Sequence, residues 1–179
     1  MLQRIIAHLD GHPPDSIPPL MAWDPPFCGD MPLEIDHDGQ WWHEGALITR
    51  ERLRRLLATL MRREDDGHYY LVTPVEKLRI KVEDTPFVII DVEPVESGWV
   101  LISDVGDRIP LDGEHPLRLD GDDTPPRVNV RFGLTARLHR NVFYRWVESG
   151  DTRESDGVLE VGVESQGHWH VLGRMTSAS

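Results

Sequence analysis

The sequence predicts an α+β fold: two similar antiparallel β-rich modules, each with one main helix, behind an N-terminal Pro-rich arm. Three observations carry that expectation. Apolar Leu78, Ile80 and Val82 alternate with Lys77, Arg79, Lys81 and Glu83, so one face of a strand packs and the other meets water. The run ITRERLRRLLATLMRR instead puts Leu53, Leu56, Leu57, Leu60 and Met61 on one helical face. Seven prolines between Pro13 and Pro32 oppose both a helix and a long strand.

In chain order, Leu2, Ile5, Ile6 and Leu9 form the stripe of a short helix, which Asp10-Gly11 and then Pro13 and Pro14 stop. The Pro-rich arm follows, with Trp23 and Phe27 as its expected anchors. Leu33-Glu34-Ile35 and Gln40 to His43 read as a hairpin about the turn Asp36-His37-Asp38-Gly39. The first main helix comes next, with Thr49 as N-cap, and Asp65-Asp66-Gly67 ends it. His68 to Thr73 is a strand, and Lys77 to Glu83 is another. Phe87 to Ile90 is apolar on both sides, as in a central strand, and Trp99 to Ile102 follows. The second half repeats the plan weakly: a strand at Val128–Phe132, then a helix from Leu134 to about Glu148. Setting Thr135 against Thr49 aligns Leu56–Met61 with Val142–Val147 without a gap. The expected segments are 1–30 (short helix and arm), 31–94 (first module) and 95–179 (second module), with a loose tail from Thr176.

A chain of 179 residues with 39% hydrophobic and 28% charged residues has the balance of a folded globular protein. Its net charge of −12 opposes nucleic acid and anionic membranes as partners. The single cysteine, Cys28, allows neither an internal disulfide nor a multi-cysteine zinc site. There is no apolar run long enough to span a membrane, and the N-terminus lacks a small-residue cleavage site, so a cytoplasmic location is the expectation.

Catalytic signatures are missing: no glycine-rich phosphate loop, no G-x-S-x-G and no H-E-x-x-H occurs. Asp36-His37-Asp38-Gly39 opens like a calcium loop, but the twelfth position is Leu47, so it reads as a turn. His168 and His170 would share a strand face; two ligands do not make a metal site, and both read as exposed edge-strand residues. No catalytic residue, metal ligand or cofactor is therefore assigned.

The most informative feature is the start of the first main helix. Three residues after Thr49 stands Arg52, where a capping box would have Glu. Arg50 and Arg52 both fall in the first turn, where the helix dipole disfavours each cation by roughly 0.3–1 kcal/mol unless an anion answers it. That anion is either an internal carboxylate or a bound phosphate or carboxylate, held by helix N–H groups and an Arg fork. The expected ligand-binding set is Arg50, Arg52, Thr73, Glu76, Lys77 and Asp84. The arginines supply charge, Thr73 and Lys77 hydrogen bonds, and Glu76 and Asp84 orient the cations. The expected partner is a small anion or, as the alternative, a protein meeting the polar strand face; no oligomeric state is specified. A hydrolase or transferase built on Glu76 and Asp84 is a third reading.

The blocks DGQWWHEGALITRERL, YYLVTPVEKLRIKVEDTPFVIIDVE and DVGDRIPL, with CGD at Cys28, together resemble an uncharacterised bacterial family, domain of unknown function twelve-eighty-five. The resemblance runs from about Trp23 to the final strands. It implies two similar, interlocked β-rich modules with a cleft between them and, by fold-level analogy alone, ligand sensing or signal transduction. It brings no activity or catalytic residue to this chain.

Overall fold

The computed structural model describes residues 2–9, 11, 16–121 and 124–176. Asp10, His12–Asp15 and the segment after Thr176, where a helix stop, the start of the Pro-rich arm and a loose tail were expected, lie outside them. Two compact units emerge: 1–86 with 131–134, and 87–130 with 135–179. Both are β-rich, and together they contain three helices and fifteen strands among the described residues.

The first unit opens with α1 (Leu2–His8), which buries Ile5 and, just beyond it, Leu9. A six-stranded sheet follows: β1 (Phe27–Ile35), β2 (Trp41–His43), β3 (Ala46–Leu47), β4 (Met61–Arg63), β5 (Tyr69–Val72) and β6 (Lys77–Val82), in the order β3-β2-β1-β6-β5-β4. Two antiparallel meanders, β1-β2-β3 and β4-β5-β6, meet at one parallel seam, β1 against β6. The sheet is therefore mixed rather than purely antiparallel. The parallel seam is possible because the chain between its strands is long enough to cross over. Within that crossing lies α2 (Glu51–Ala58).

The helix is shorter than its apolar spacing predicts. The Thr59 hydroxyl donates to the Leu56 carbonyl at 2.6 Å, taking over a helix-end acceptor. Met61–Arg63 then pairs with Tyr69–Leu71 as a strand. Leu60 and Met61 are buried as expected, but Leu60 from the turn that closes the helix and Met61 from the strand after it. Arg50, not Thr49, is the N-cap.

The second unit repeats the seam. Its sheet contains β7 (Phe87–Val95), β8 (Gly98–Ser103), β9 (Arg108–Pro110), β10 (Leu117–Arg118), β11 (Arg127–Arg131) and β12 (Leu134–Leu138), ordered β10-β11-β12-β7-β8-β9. Again two meanders join through one parallel pair, β7 with β12. Leu134–Leu138 is thus a strand where a helix was expected. It is buried on both faces, so its apolar residues satisfy a central strand as well as a helix. The helix α3 begins later, at Arg140, and runs to Ser149; His139 caps it by accepting from the Asn141 N–H through Nδ1. Because α2 links two meanders and α3 follows a finished sheet, the gapless helix alignment does not mark equivalent places in the two halves.

A separate antiparallel sheet ends the chain: β13 (Asp151–Ser155), β14 (Val158–Ser165) and β15 (His168–Thr176). His168 is exposed there, but His170, expected to be exposed too, is buried, and burial pushes its imidazole below the usual value. The expected segment boundary at 94/95 falls within β7.

Residues 16–26 carry only a 3-10 turn at Leu20–Ala22. Neither expected aromatic is the anchor: Trp23 is half-buried and Phe27 is 53% exposed. Leu20 is fully buried instead, and Arg62 on β4 donates to the carbonyls of Leu20 (2.6 Å) and Trp23 (3.0 Å). Arg62 also donates to Glu64 at 2.6 Å. Removing a buried cation with four hydrogen bonds, two of them to Glu64, should be costly. Arg62→Ala is expected to lower stability by roughly 2–4 kcal/mol in urea unfolding and to expose the chain near Trp23 to limited proteolysis. An unchanged cleavage pattern would mean Leu20 alone anchors the segment.

Candidate functional site

At the start of α2 the backbone turns into the helix at Arg50 (φ −76, ψ 106), and no side chain caps the first N–H groups. Arg50 and Arg52 are exposed, and among the described residues no carboxylate pairs with either. Glu51, the one acid of the first turn, is taken by Arg55 at 2.9 Å. Arg52 also borders a groove of about 380 Å3 lined by Ile6, Leu9, Leu53 and Leu56.

The LVTPVEK block forms a tight turn. The Thr73 N–H donates to the Glu76 carbonyl at 2.9 Å, and Thr73 Oγ1 accepts from the N–H groups of Val75 (3.3 Å) and Glu76 (3.1 Å). Thr73 is buried, with its hydroxyl spent on the backbone. Glu76 is 8% exposed; its Oε2 lies 3.2 Å from Arg4 and its Oε1 has no partner among the described residues. Lys77 donates to Glu64 at 2.7 Å and sits 4.8 Å from the Tyr70 ring centroid. Burial opposes ionisation of Glu64, but hydrogen bonds from Lys77 and Arg62 outweigh it and hold its carboxyl below the usual range. Asp66 accepts from the Tyr70 hydroxyl at 2.6 Å and, with burial, pushes that phenol up to about 12. Asp84 is half-buried in the bend after β6 and engaged by neighbours.

These residues fall into separate groups. Val72 N–H donates to the Leu60 carbonyl, so the Thr73 turn leaves from the C-terminal end of α2. Eight helical residues, roughly 12 Å of rise, separate that end from Arg50. Among the described residues no hydrogen bond or ion pair joins Arg50 or Arg52 to Thr73, Glu76, Lys77 or Asp84.

A different hollow, about 650 Å3, opens on the outer face of the first sheet. Across β2, β1 and β6 the register sets Trp42, Glu34 and Lys81 side by side. Pro32 adds apolar wall, while Met31 and Leu33 border the hollow with their side chains in the core; Asp36, His37, Glu44, Gly45 and Glu83 complete the lining. Asp36 accepts from the N–H groups of Asp38 and Gln40 and from Trp42 Nε1, all at 2.9 Å. Glu83 accepts from the His37 backbone at 2.6 Å, and its Oε2 lies 3.0 Å from the ring Nδ1. That hydrogen bond with Glu83, together with the charge of Asp38, raises the His37 pKa above its ordinary value. Sequence reading missed this grouping. Alternation alone puts Glu34, Lys81 and Glu83 on outer strand faces, but only the β1–β6 seam makes them neighbours.

The description "Domain of unknown function (DUF1285), N-terminal domain" matches residues 18–85, and "Protein of unknown function (DUF1285), C-terminal domain" matches 86–172. A DUF1285 family protein from Silicibacter pomeroyi DSS-3, solved at 2.50 Å resolution, is 34% identical with a TM-score of 0.80, the match covering 94% of each chain. Another, from Shewanella baltica OS155, solved at 1.40 Å, is 27% identical with a TM-score of 0.56; it covers 68% of this chain and 94% of its own. Comparison with curated proteins gives no match. Among the described residues no helix is long and apolar enough to cross a membrane.

Two expectations follow from this geometry. Thr73→Val, which leaves the Val75 and Glu76 N–H groups without their acceptor, should cost about 1–2 kcal/mol in urea unfolding; no measurable change would mean that the turn holds without the hydroxyl. A raised folded pKa means His37 adds stability that is fully present below the unfolded value of about 6.5 and is lost as pH rises through the folded value. Wild type should therefore exceed His37→Gln in urea midpoint by more at pH 5.5 than at pH 8.5. An equal gap at both pH values would rule out a charged His37–Glu83 pair.

Proposed function

We propose that this chain, which belongs to the DUF1285 family, is a cytoplasmic binding or sensing module for a small anion, taken at the start of α2. The carrying observation is the pair of exposed cations, Arg50 and Arg52, at a helix start that no side chain caps and no described carboxylate answers. Open N–H groups and a positive dipole end favour a phosphate or carboxylate there, and the two guanidinium forks supply the counter-charge. The apolar groove beside Arg52 offers room for the body of a carboxylate or phosphate ester.

In this reading Arg50 and Arg52 contact the ligand. Thr73, Glu76 and Lys77 act at a distance, by shaping the turn and the ion pairs near the other end of the helix; Asp84 lies apart from them, in the bend after β6. The alternative is a protein-interaction module without a small ligand, and its supporting feature is β13, an outer strand whose residues are all exposed.

A thermal-shift screen with inorganic phosphate, phosphorylated metabolites, nucleotides and carboxylates tests the proposal. A ligand at about 100 times its Kd adds roughly 2.7 kcal/mol, which for a chain of this size raises Tm by roughly 5–11 °C. The shift should vanish in Arg50→Ala/Arg52→Ala, while the ligand-free variant keeps or slightly gains stability through relief at the dipole. A shift that survives in the double variant places the anion elsewhere and overturns the reading. Silence across the panel favours the protein-interaction alternative.

A further inference from the structure

The hollow on the first sheet has the opposite character from the helix start. Its volume of about 650 Å3 lies within the range typical of small-molecule sites, roughly 300–1,000 Å3. Its apolar wall comes from Pro32 and Trp42, since Met31 and Leu33, although they border it, turn into the core. Four carboxylates face two groups able to carry positive charge, Lys81 and His37.

Most of those charges are already answered, and the pattern of what remains is informative. Glu83 is held by His37. Asp36 is saturated by three N–H donors. Glu34 lies 3.5 Å from Lys81 Nζ, but the lysine side chain is 72% exposed and the contact is loose. Glu44 sits at the rim in a left-handed conformation (φ 51), with no partner for its carboxylate among the described residues. Net negative charge is thus left around an apolar wall. Among the described residues no three acidic or imidazole groups converge as metal ligands would, so the charge suits something larger than a metal ion.

Trp42 supplies the independent observation. Elsewhere in the molecule, Arg63, Lys77, Arg79 and Arg153 lie over the rings of Tyr69, Tyr70, Phe27 and Trp169 at 5.3, 4.8, 5.9 and 4.0 Å from the centroids. Among the described residues no cation lies over Trp42, although indole is the strongest of these partners and its surroundings are acidic. Asp36 holds the ring by its Nε1–H, and the half-buried Trp42 lines the hollow.

We propose that this hollow binds a small organic cation with an apolar body, an ammonium or guanidinium compound whose charge lies over Trp42 and between Glu34 and Glu44. The apolar part rests on Pro32. Lys81 competes for Glu34 and leaves it when the ligand enters. This site is independent of the helix start and stands or falls separately from the anion reading.

The test is a titration of 15N-labelled full chain with benzyltrimethylammonium chloride at constant ionic strength, with benzyl alcohol and sodium benzoate as neutral and anionic controls. The indole N–H resonance of Trp42 is assigned by its disappearance in Trp42→Phe. The expected result is a saturable shift of that resonance and of the Glu44 and Gly45 amides, produced by the cation alone. Glu44→Gln, an exposed change that leaves the wall intact, should weaken binding by about threefold to fivefold. Lys81→Gln should tighten it by a similar factor. An equal response to benzyl alcohol, a non-saturating response, or affinities unchanged in both Glu44→Gln and Lys81→Gln would overturn the proposal.

Discussion

The parallel pairing of β1 with β6 is the constraint on which the first unit depends. It joins two meanders that are each local in sequence, and it brings His37 within hydrogen-bond reach of Glu83 across 46 positions. Without it, each meander would be a three-stranded sheet with an open edge and one apolar face to hide. With it, Leu33, Ile35, Leu78 and Ile80 bury against one core, while Asp30, Glu34, Arg79 and Lys81 line the opposite face. The β7–β12 seam does the same for the second unit, where Phe87, Ile89, Ala136 and Leu138 are almost wholly buried.

Charge is used differently at the two kinds of place. Beneath the surface, Arg62, Glu64 and Lys77 form a chain of short bonds that ends on backbone carbonyls of the N-terminal segment. Such partly buried ions hold because each is hydrogen-bonded as well as paired; losing one leaves another uncompensated. On the outer sheet face, pairs such as Arg79–Asp30 and Lys81–Glu34 are largely exposed, contribute little to stability and are free to exchange partners. The two proposed ligand sites lie where charge is exposed and incompletely answered, at the α2 start and around Trp42. The sites of strongest pairing are scaffold.

Local chemistry made much of the fold legible. The alternation in β6, the turn at Asp36 and the central strand β7 follow from periods and turn residues and are where the sequence places them, although Ile90 in β7 is exposed. The amphipathic face of α2 is there for Leu53, Leu56 and Leu57 but not for Leu60 and Met61. The misreadings share one cause. Leu60, Met61 and Leu134–Leu138 are apolar at spacings that serve a helix and a buried strand equally, and hydrogen bonding with distant partners decided between them. His170 looked like an edge residue from its place in the strand, yet packing covers it. For the candidate site, the doubly cationic helix start was visible in the chain, but the engagement of Lys77 by Glu64 and of Glu76 by Arg4 was not.

The sequence by itself therefore determined the α+β class, the doubling of a β-rich plan, most strand and turn positions, the acidic surface and the unusual start of α2. The strand and turn positions and the start of α2 depend on residues within about ten positions of one another, the range over which backbone period and turn chemistry act. The charge and the doubling come from whole-chain composition and from comparing the two halves. Tertiary structure alone decided the parallel seams, the true length of α2, the late start of α3 and the hollow around Trp42. Each of these rests on which strands lie side by side, and a period-two pattern fixes the face a residue points from without naming its neighbour across the gap.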